Sequence, residues 1–429
     1  MMATYSPRLS RLLLLVLFLF LTGAPRTLLG QDSSSHHTKT SLSEKGIQNL
    51  TDALNDYVDE NRLPGIVAMI LKDGEPAFEY AYGWRDRESQ DSIRTSTIFR
   101  IASQSKAIIS AGILILQEEG KLIVTAPVST YLPEFAKTTV AVKTDSGYDV
   151  VPATRQIRVR DLLTHTSGVG YGYGLAAAEW EEAEIQGWYF GHRSEPIRET
   201  VRRMAALPFE TQPGTAFVYG YNTDILGAVI EEASGMSLDA FLYDRIFKPL
   251  GMTDTHFYLP KDKESRLATV YTTVDEQLTR APDTSNMSGQ GAYVDGPRAS
   301  FSGGAGLLST AKDYASFLQM VLNGGSLHGN RVMSPASVES MLSNHIGHLE
   351  NSNGTGFGLG FQIITDVGAY GALTSLGELG WGGAYHSNYW ASQQHNMVVV
   401  YFTQIVPPTG RLDDHAKLRA LAYGALTQE

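Results

Sequence analysis

The chain has no cysteine among its 429 residues. That excludes disulfides, a thiolate nucleophile, cysteine-borne lipid, zinc ribbons and iron–sulfur centres. It has little unbroken apolar sequence: the run Leu12–Leu21 falls short of the roughly 18 residues that a spanning helix needs. Basic charge is in deficit, with 34 Lys and Arg against 45 Asp and Glu and a net charge of −11. A nucleic-acid partner would have to bind against that field, so none is expected. There is no H-E-x-x-H or comparable ligand motif, so neither metal nor cofactor is expected. There is no G-x-S-x-G pentapeptide either, which argues against a nucleophile-elbow hydrolase. What is present is globular: 43% apolar residues, 42 glycines and 17 prolines. The length suits one large domain or two interleaved ones.

The first thirty residues read as an address. Arg8 and Arg11 precede the apolar run, and Thr22, Gly23, Ala24 and Gly30 follow it. A basic segment, a short apolar core and small residues make a secretory signal, so residues 1–30 are expected to be removed on export. The alternative is an uncleaved anchor. Residues 31–41 are polar and expected to be disordered. His36 and His37 there read as part of a solvated tail rather than as metal ligands.

Ile47, Leu50, Leu54 and Val58 lie on one face of a helix expected over 43–61. Two apolar runs around Asp73-Gly74 predict a β-hairpin. Helices are expected over 107–118, 159–163, 179–184, 197–207, 224–232, 238–246 and 310–322, with a long polar irregular stretch over 261–302. After Gly354 strands are expected at 358–365, 386–391 and 397–404, then a helix at 415–426. Strands at both ends and helices between them suggest one sheet assembled from both termini, with a helical insertion.

The central signal is Ser103-Gln104-Ser105-Lys106. This spacing at a helix start puts hydroxyl and amine on one face, about one turn apart. Serine needs a neighbouring base before it attacks, and a lysine among Ile101, Ala102, Ala107, Ile108 and Ile109 is placed to be one. The helix N-terminus favours negative charge developing near Ser103. The same spacing recurs from Ser309 to Lys312, where it reads as a capped helix start with a solvated lysine.

Further segments stand in order along the chain: Leu162-Leu163-Thr164-His165-Thr166-Ser167-Gly168, Tyr219-Gly220-Tyr221-Asn222, Phe301-Ser302-Gly303-Gly304, and Trp381-Gly382-Gly383-Ala384. With the serine–lysine pair they resemble the serine hydrolases related to class C β-lactamases. That group includes family VIII carboxylesterases, DD-peptidases and D-aminopeptidases, and the likeness runs from about Gly65 to Gln404. It implies an α/β (α+β) fold of β-lactamase/transpeptidase type. An antiparallel sheet flanked by helices would be built from 42–105 and 350–429, with a mostly helical domain, 106–349, inserted. The site would lie in the cleft between them.

The resemblance also assigns roles. Ser103 would be the acylated nucleophile and Lys106 its proton-shuttling partner. Tyr219 would be the general base or its phenolate partner and would protonate the leaving group. Which of the two takes the first proton stays open. The oxyanion hole would be the backbone N–H groups of Ser103 and Ala384. Trp381, Gly382, Gly383, Tyr221 and Asn222 would contact substrate, and His165 would be scaffold.

Two departures bear on substrate. The β-lactam and peptide enzymes usually carry Lys or His where this chain has Trp381, and their Tyr-x-Asn motif is here Tyr219-x-Tyr221, with Asn222 one residue late. Both replace polar anchors with aromatic surface. Tyr171, Tyr173, Trp188 and Tyr189 would either extend that surface or pack the helical domain. The expected activity is hydrolysis of carboxylic esters through an acyl-enzyme on Ser103. The alternatives are a β-lactamase, a D-amino-acid or DD-peptidase, or a catalytically silent penicillin-binding-fold scaffold. The expected partner is a small ester or amide, with no membrane span in the mature chain.

Overall fold

Short apolar strands at the two ends of the sequence meet in one sheet. The computed structural model describes residues 40–347, 349, 353–407 and 412–428. The expected signal segment and the polar stretch as far as residue 39 lie outside them. Helix α1 (Glu44–Asp59) is capped by Ser43, whose Oγ accepts from the Gly46 N–H, and buries Leu50, Leu54 and Tyr57. Pro64 precedes strand β1 (Gly65–Lys72), which turns through Asp73-Gly74 into β2 (Glu75–Asp86). Both turn residues have positive φ, 56° and 84°, as a tight two-residue hairpin turn requires. A short β3 (Asp91–Ser92) follows.

The middle of the chain supplies α2 (Ser105–Glu118), α3 (Asn222–Ser234) and α4 (Ala311–Leu322). The C-terminal part supplies β4 (Thr355–Phe357), β5 (Gln362–Ile364), β6 (Leu379–Gly383), β7 (Ser387–Ser392) and β8 (Met397–Phe402). Helix α5 (Asp414–Gly424) comes last. The eight strands run in the order β4-β5-β6-β7-β8-β1-β2-β3, every pairing antiparallel. The two ends of the sequence join at β8–β1, where Val67 pairs with Phe402 and Lys72 with Met397.

Both faces of this seam are covered. Ala68, Ile70, Val399 and Tyr401 pack with Leu54 of α1 and Leu418 of α5. Val67, Met69, Val398 and Val400 pack with α2 and α4. Strands buried on both faces carry continuous apolar runs rather than alternation. That is how Ile66–Leu71 and Met397–Phe402 read.

Several expected elements differ. The strand expected over 358–365 is the hairpin β4–β5, turned by Gly358 and Gly360. The helix from Leu238 is α-helical only to Leu242 and continues as a π-turn, Tyr243–Phe247. The helical middle also holds an antiparallel hairpin, Thr139–Thr144 with Gly147–Pro152, and the irregular 261–302 stretch holds another, Tyr271–Val274 with Gln277–Arg280. Thr40 and Ser41, expected in the disordered tail, pair with residues 427–428 in a two-stranded ribbon. In the strand cases backbone pairing with a distant or turn-linked partner outweighs a weak local pattern.

Candidate active site

Ser103 sits in a single 3-10 turn, Ala102–Gln104, that runs into α2. The chain enters it through Ala102, a buried alanine at φ 43°, a strained value for a residue with a Cβ. The turn sets Ser103 and Lys106 on one face. Lys106 is 2% exposed, and its Nζ donates to Ser103 Oγ at 3.3 Å, Tyr171 OH at 3.2 Å and the Gly304 carbonyl at 2.7 Å. Three oxygens thus surround the amine nitrogen.

Tyr219 closes over this group. Its ring centroid lies 4.6 Å from Lys106 Nζ and 5.8 Å from the Tyr171 ring, edge to face. The indole Nε1 of Trp381 donates to Tyr219 OH at 3.0 Å. Hydroxyl, amine, two phenols and an indole thus form one contiguous cluster from four separate parts of the chain. Burial, with Tyr219 beside it, pushes the Tyr171 phenol well above its ordinary value. That favours the neutral phenol, which accepts from Lys106 and orders the cluster.

The LLTHTSG segment holds Tyr219 in place. The His165 carbonyl accepts from the Val218 N–H at 2.7 Å, and the His165 ring lies 4.7 Å from that of Tyr219. Asn222 Nδ2 donates to His165 Nδ1 at 3.0 Å, so the ring proton is on Nε2. Burial, with the Lys106 charge nearby, holds His165 well below its ordinary value, and the imidazole is neutral. Behind Lys106, Asp224 accepts from Ser302 Oγ at 2.6 Å and the Gly304 N–H at 3.0 Å. Burial raises its carboxyl despite these donors and the Lys106 charge. Asp224 fixes the Gly304 peptide whose carbonyl receives the lysine.

Strand β6 forms the opposite wall. A Cβ at Gly383 would stand 2.5 Å from the Ile101 carbonyl oxygen, so glycine is what lets this strand lie against the Ser103 turn. Ser103, Tyr171, Trp188, Tyr219 and the run Trp381–Ala384 all line one cleft of about 570 Å³.

The structure thus brings Ser103, Lys106, Tyr219, Trp381, Gly382, Gly383 and Ala384 together. It does not bring Tyr221 or Asn222 to the cleft, and the expectation that they touch substrate is corrected. Tyr221 is fully buried between Trp180 and Phe190, its hydroxyl donating to the Gly187 carbonyl at 2.7 Å. Asn222 is fully buried and bonded to Ser167, His165, Val169 and Val218. Of the four further aromatics, Tyr171 and Trp188 reach the cleft. Tyr189 packs on Tyr293, and Tyr173 is exposed. Sequence reasoning gave Tyr171 no place beside the lysine and gave Asp224 no role. An acid two residues after Asn222, directly before the apolar Ile225 and Leu226, is the available signal for the second. It also found no metal-ligand cluster, yet His386, Asp414 and His415 bring ligating atoms within 4.8 Å of one another. They are brought together by a strand turn and a helix start 28 residues apart.

The family model described as Beta-lactamase matches residues 50–424. The chain belongs to the beta-lactamase family. Protein Rv1367c of Mycobacterium tuberculosis is 31% identical over 368 residues, 83% of this chain and 89% of that one. Esterase EstB of Burkholderia gladioli is 29% identical over 380 residues, 85% of this chain and 92% of that one. The solved structure of EstCE1, a hydrolase with promiscuous acyltransferase activity, superposes with a TM-score of 0.76 at 26% identity, covering 89% of this chain and 99% of that one. The beta-lactamase family fold, an antiparallel sheet with flanking helices, is the fold seen here, and the chain is a hydrolase of the serine acyl-enzyme superfamily. No helix among the described residues is long and apolar enough to cross a membrane.

Proposed function

We propose that this hydrolase cleaves carboxylic esters through an acyl-enzyme on Ser103. The observation that carries the reading is Trp381. Where a substrate-binding cation would stand on β6, an indole instead donates to Tyr219 OH and joins Tyr171, Trp188 and Tyr219 in an aromatic wall. Such a wall favours an apolar acyl or alcohol group over an anionic one. The likeness to EstB and EstCE1 supports the same choice.

The chemistry divides among the clustered groups. Ser103 Oγ attacks the ester carbonyl carbon, and its proton passes to the Lys106–Tyr219 pair. The C=O electron pair moves onto oxygen, which the backbone N–H groups of Ser103 and Ala384 receive. The C–O bond to the alcohol breaks, and Tyr219 protonates the departing alkoxide. Water repeats the sequence on the acyl-serine and frees the acid. The chain division at 42–105, 106–349 and 350–429 belongs to this reading. So does export, which the basic, apolar and small-residue order of residues 1–30 supports.

The test is p-nitrophenyl butyrate against nitrocefin, with fluorophosphonate labelling and mass mapping of the label. Ester turnover with the label on Ser103 is expected. Faster nitrocefin cleavage would make the chain a β-lactamase, and no label would make it a silent scaffold.

A further inference from the structure

The cleft has a second stretch of wall that the ester chemistry leaves unused. His386, in the turn between β6 and β7, and His415, in the first turn of α5, both face it. Asp414 sits behind them with its side chain wholly buried. His386 Nε2 lies 2.9 and 3.0 Å from the two Asp414 carboxylate oxygens, and His415 Nε2 lies 4.0 Å from the second. Ligands of one tetrahedral ion at ordinary bond lengths stand roughly 3.3 Å apart. The ligating atoms of the three side chains all lie within 4.8 Å of one another, and the His386–Asp414 contact is a hydrogen bond that an ion would replace.

The surroundings hold these groups as ligands are usually held. Tyr401 OH donates to Asp414 Oδ2 at 2.6 Å. His415 Nε2 is 3.2 Å from the His386 carbonyl oxygen, which can only accept, so Nε2 carries the proton and Nδ1 presents a lone pair. A ring N–H given to a carbonyl and a carboxylate braced by a phenol are typical outer contacts of metal ligands. Arg419, one turn along α5, is paired with the buried carboxylate of Glu378, which Tyr423 OH also reaches.

The rings of His386 and His415 stack, with centroids 4.2 Å apart and planes 17° from parallel. Parallel rings do not aim two lone pairs at one point, so one must turn to bind an ion. The His415 side chain is 31% exposed and has room to do so. Two imidazoles and a carboxylate, without thiolate, suit Zn²⁺ and its first-row neighbours better than Ca²⁺ or Mg²⁺.

We propose that His386, Asp414 and His415 form a site for one divalent transition-metal ion on the cleft wall. The ion's remaining coordination positions face the cleft, where a water or an oxygen anion of a bound molecule takes them.

The experiment uses the full chain, stripped of metal and carrying His36→Ala and His37→Ala so that the tail contributes nothing. Equilibrium dialysis against Zn²⁺ with a competing chelator reads stoichiometry and affinity. One Zn²⁺ per chain is expected, and both His415→Gln and Asp414→Asn should weaken binding by about ten-fold or more. Co²⁺ should give visible absorption bands that both variants lose. Fluorophosphonate labelling of Ser103 checks that each variant is folded; if Asp414→Asn is not, the partly exposed His415→Gln decides. No bound Zn²⁺, or affinity unchanged in the folded variants, overturns the proposal whatever substrate the serine takes.

Discussion

Two segments of this chain share the spacing serine, two residues, lysine, and they fold differently. At Ser103 the backbone makes a 3-10 turn through a left-handed alanine and then starts α2, so serine and lysine stack on one buried face. At Ser309 the serine belongs to a two-residue strand, Leu308–Ser309. Thr310 is the cap, its Oγ1 accepting from the Asp313 N–H, and α4 starts at Ala311. Ser309 is buried against Thr255, while Lys312 is exposed. Identical spacing brings hydroxyl and amine together only where a helical turn begins early enough to include the serine.

The comparison breaks most sharply at the serines. Ser103→Ala is expected to lower turnover of p-nitrophenyl butyrate by about 10³-fold or more. Ser309→Ala should leave it unchanged, measured by initial rates on the same enzyme preparation. The lysines come next. Lys106→Met keeps the volume and removes the amine, and a fall in kcat of about 10³-fold is expected. Lys312→Met should change neither kcat nor Tm.

Two tyrosines two residues apart sharpen the same point. Tyr219→Phe should reduce kcat by about 10²-fold with little change in Tm, because its hydroxyl faces the cleft. Tyr221→Phe should do the reverse: kcat is retained, and loss of the bond to Gly187 lowers stability by about 1 kcal/mol in urea unfolding. A pH series tests the scaffold around the active pair. His165 has a depressed value when folded, so below about pH 6.5 the unfolded chain takes up a proton that the folded chain refuses. Stability is therefore full above that pH and falls as the solution is acidified. His165→Gln should flatten the fall in Tm between about pH 7 and 5. An unchanged slope would show that the imidazole is not held neutral.

The parts legible in sequence are those whose signal is local and strong. The hairpin at Asp73-Gly74, α2 and α4 each carry their own turn residues or periodicity. The hairpin at 139–152 was hidden because Val142 and Val150 are exposed and leave little alternation to read. Of the candidate site, Ser103 and Lys106 lie one helical turn apart and could be read from spacing. Tyr219 and Trp381 came through the family resemblance. Tyr221 and Asn222 were misplaced because helix α3 starts at Asn222 and turns both side chains into the core. Sequence places Tyr171 in cleft surface or domain packing and not beside Lys106, because nothing near it shows that a lysine 65 residues earlier reaches its hydroxyl.

The β8–β1 seam has a cost during synthesis. Its strands are separated by most of the chain, and closing so long a loop is slow. Until the ribosome has released residue 402, Val67, Met69 and Ile70 pair with β2 on one side only, and the unfinished product exposes the other, apolar edge of β1. Chains cut short before β8 should collect in inclusion bodies, and slower expression at low temperature should raise the soluble yield.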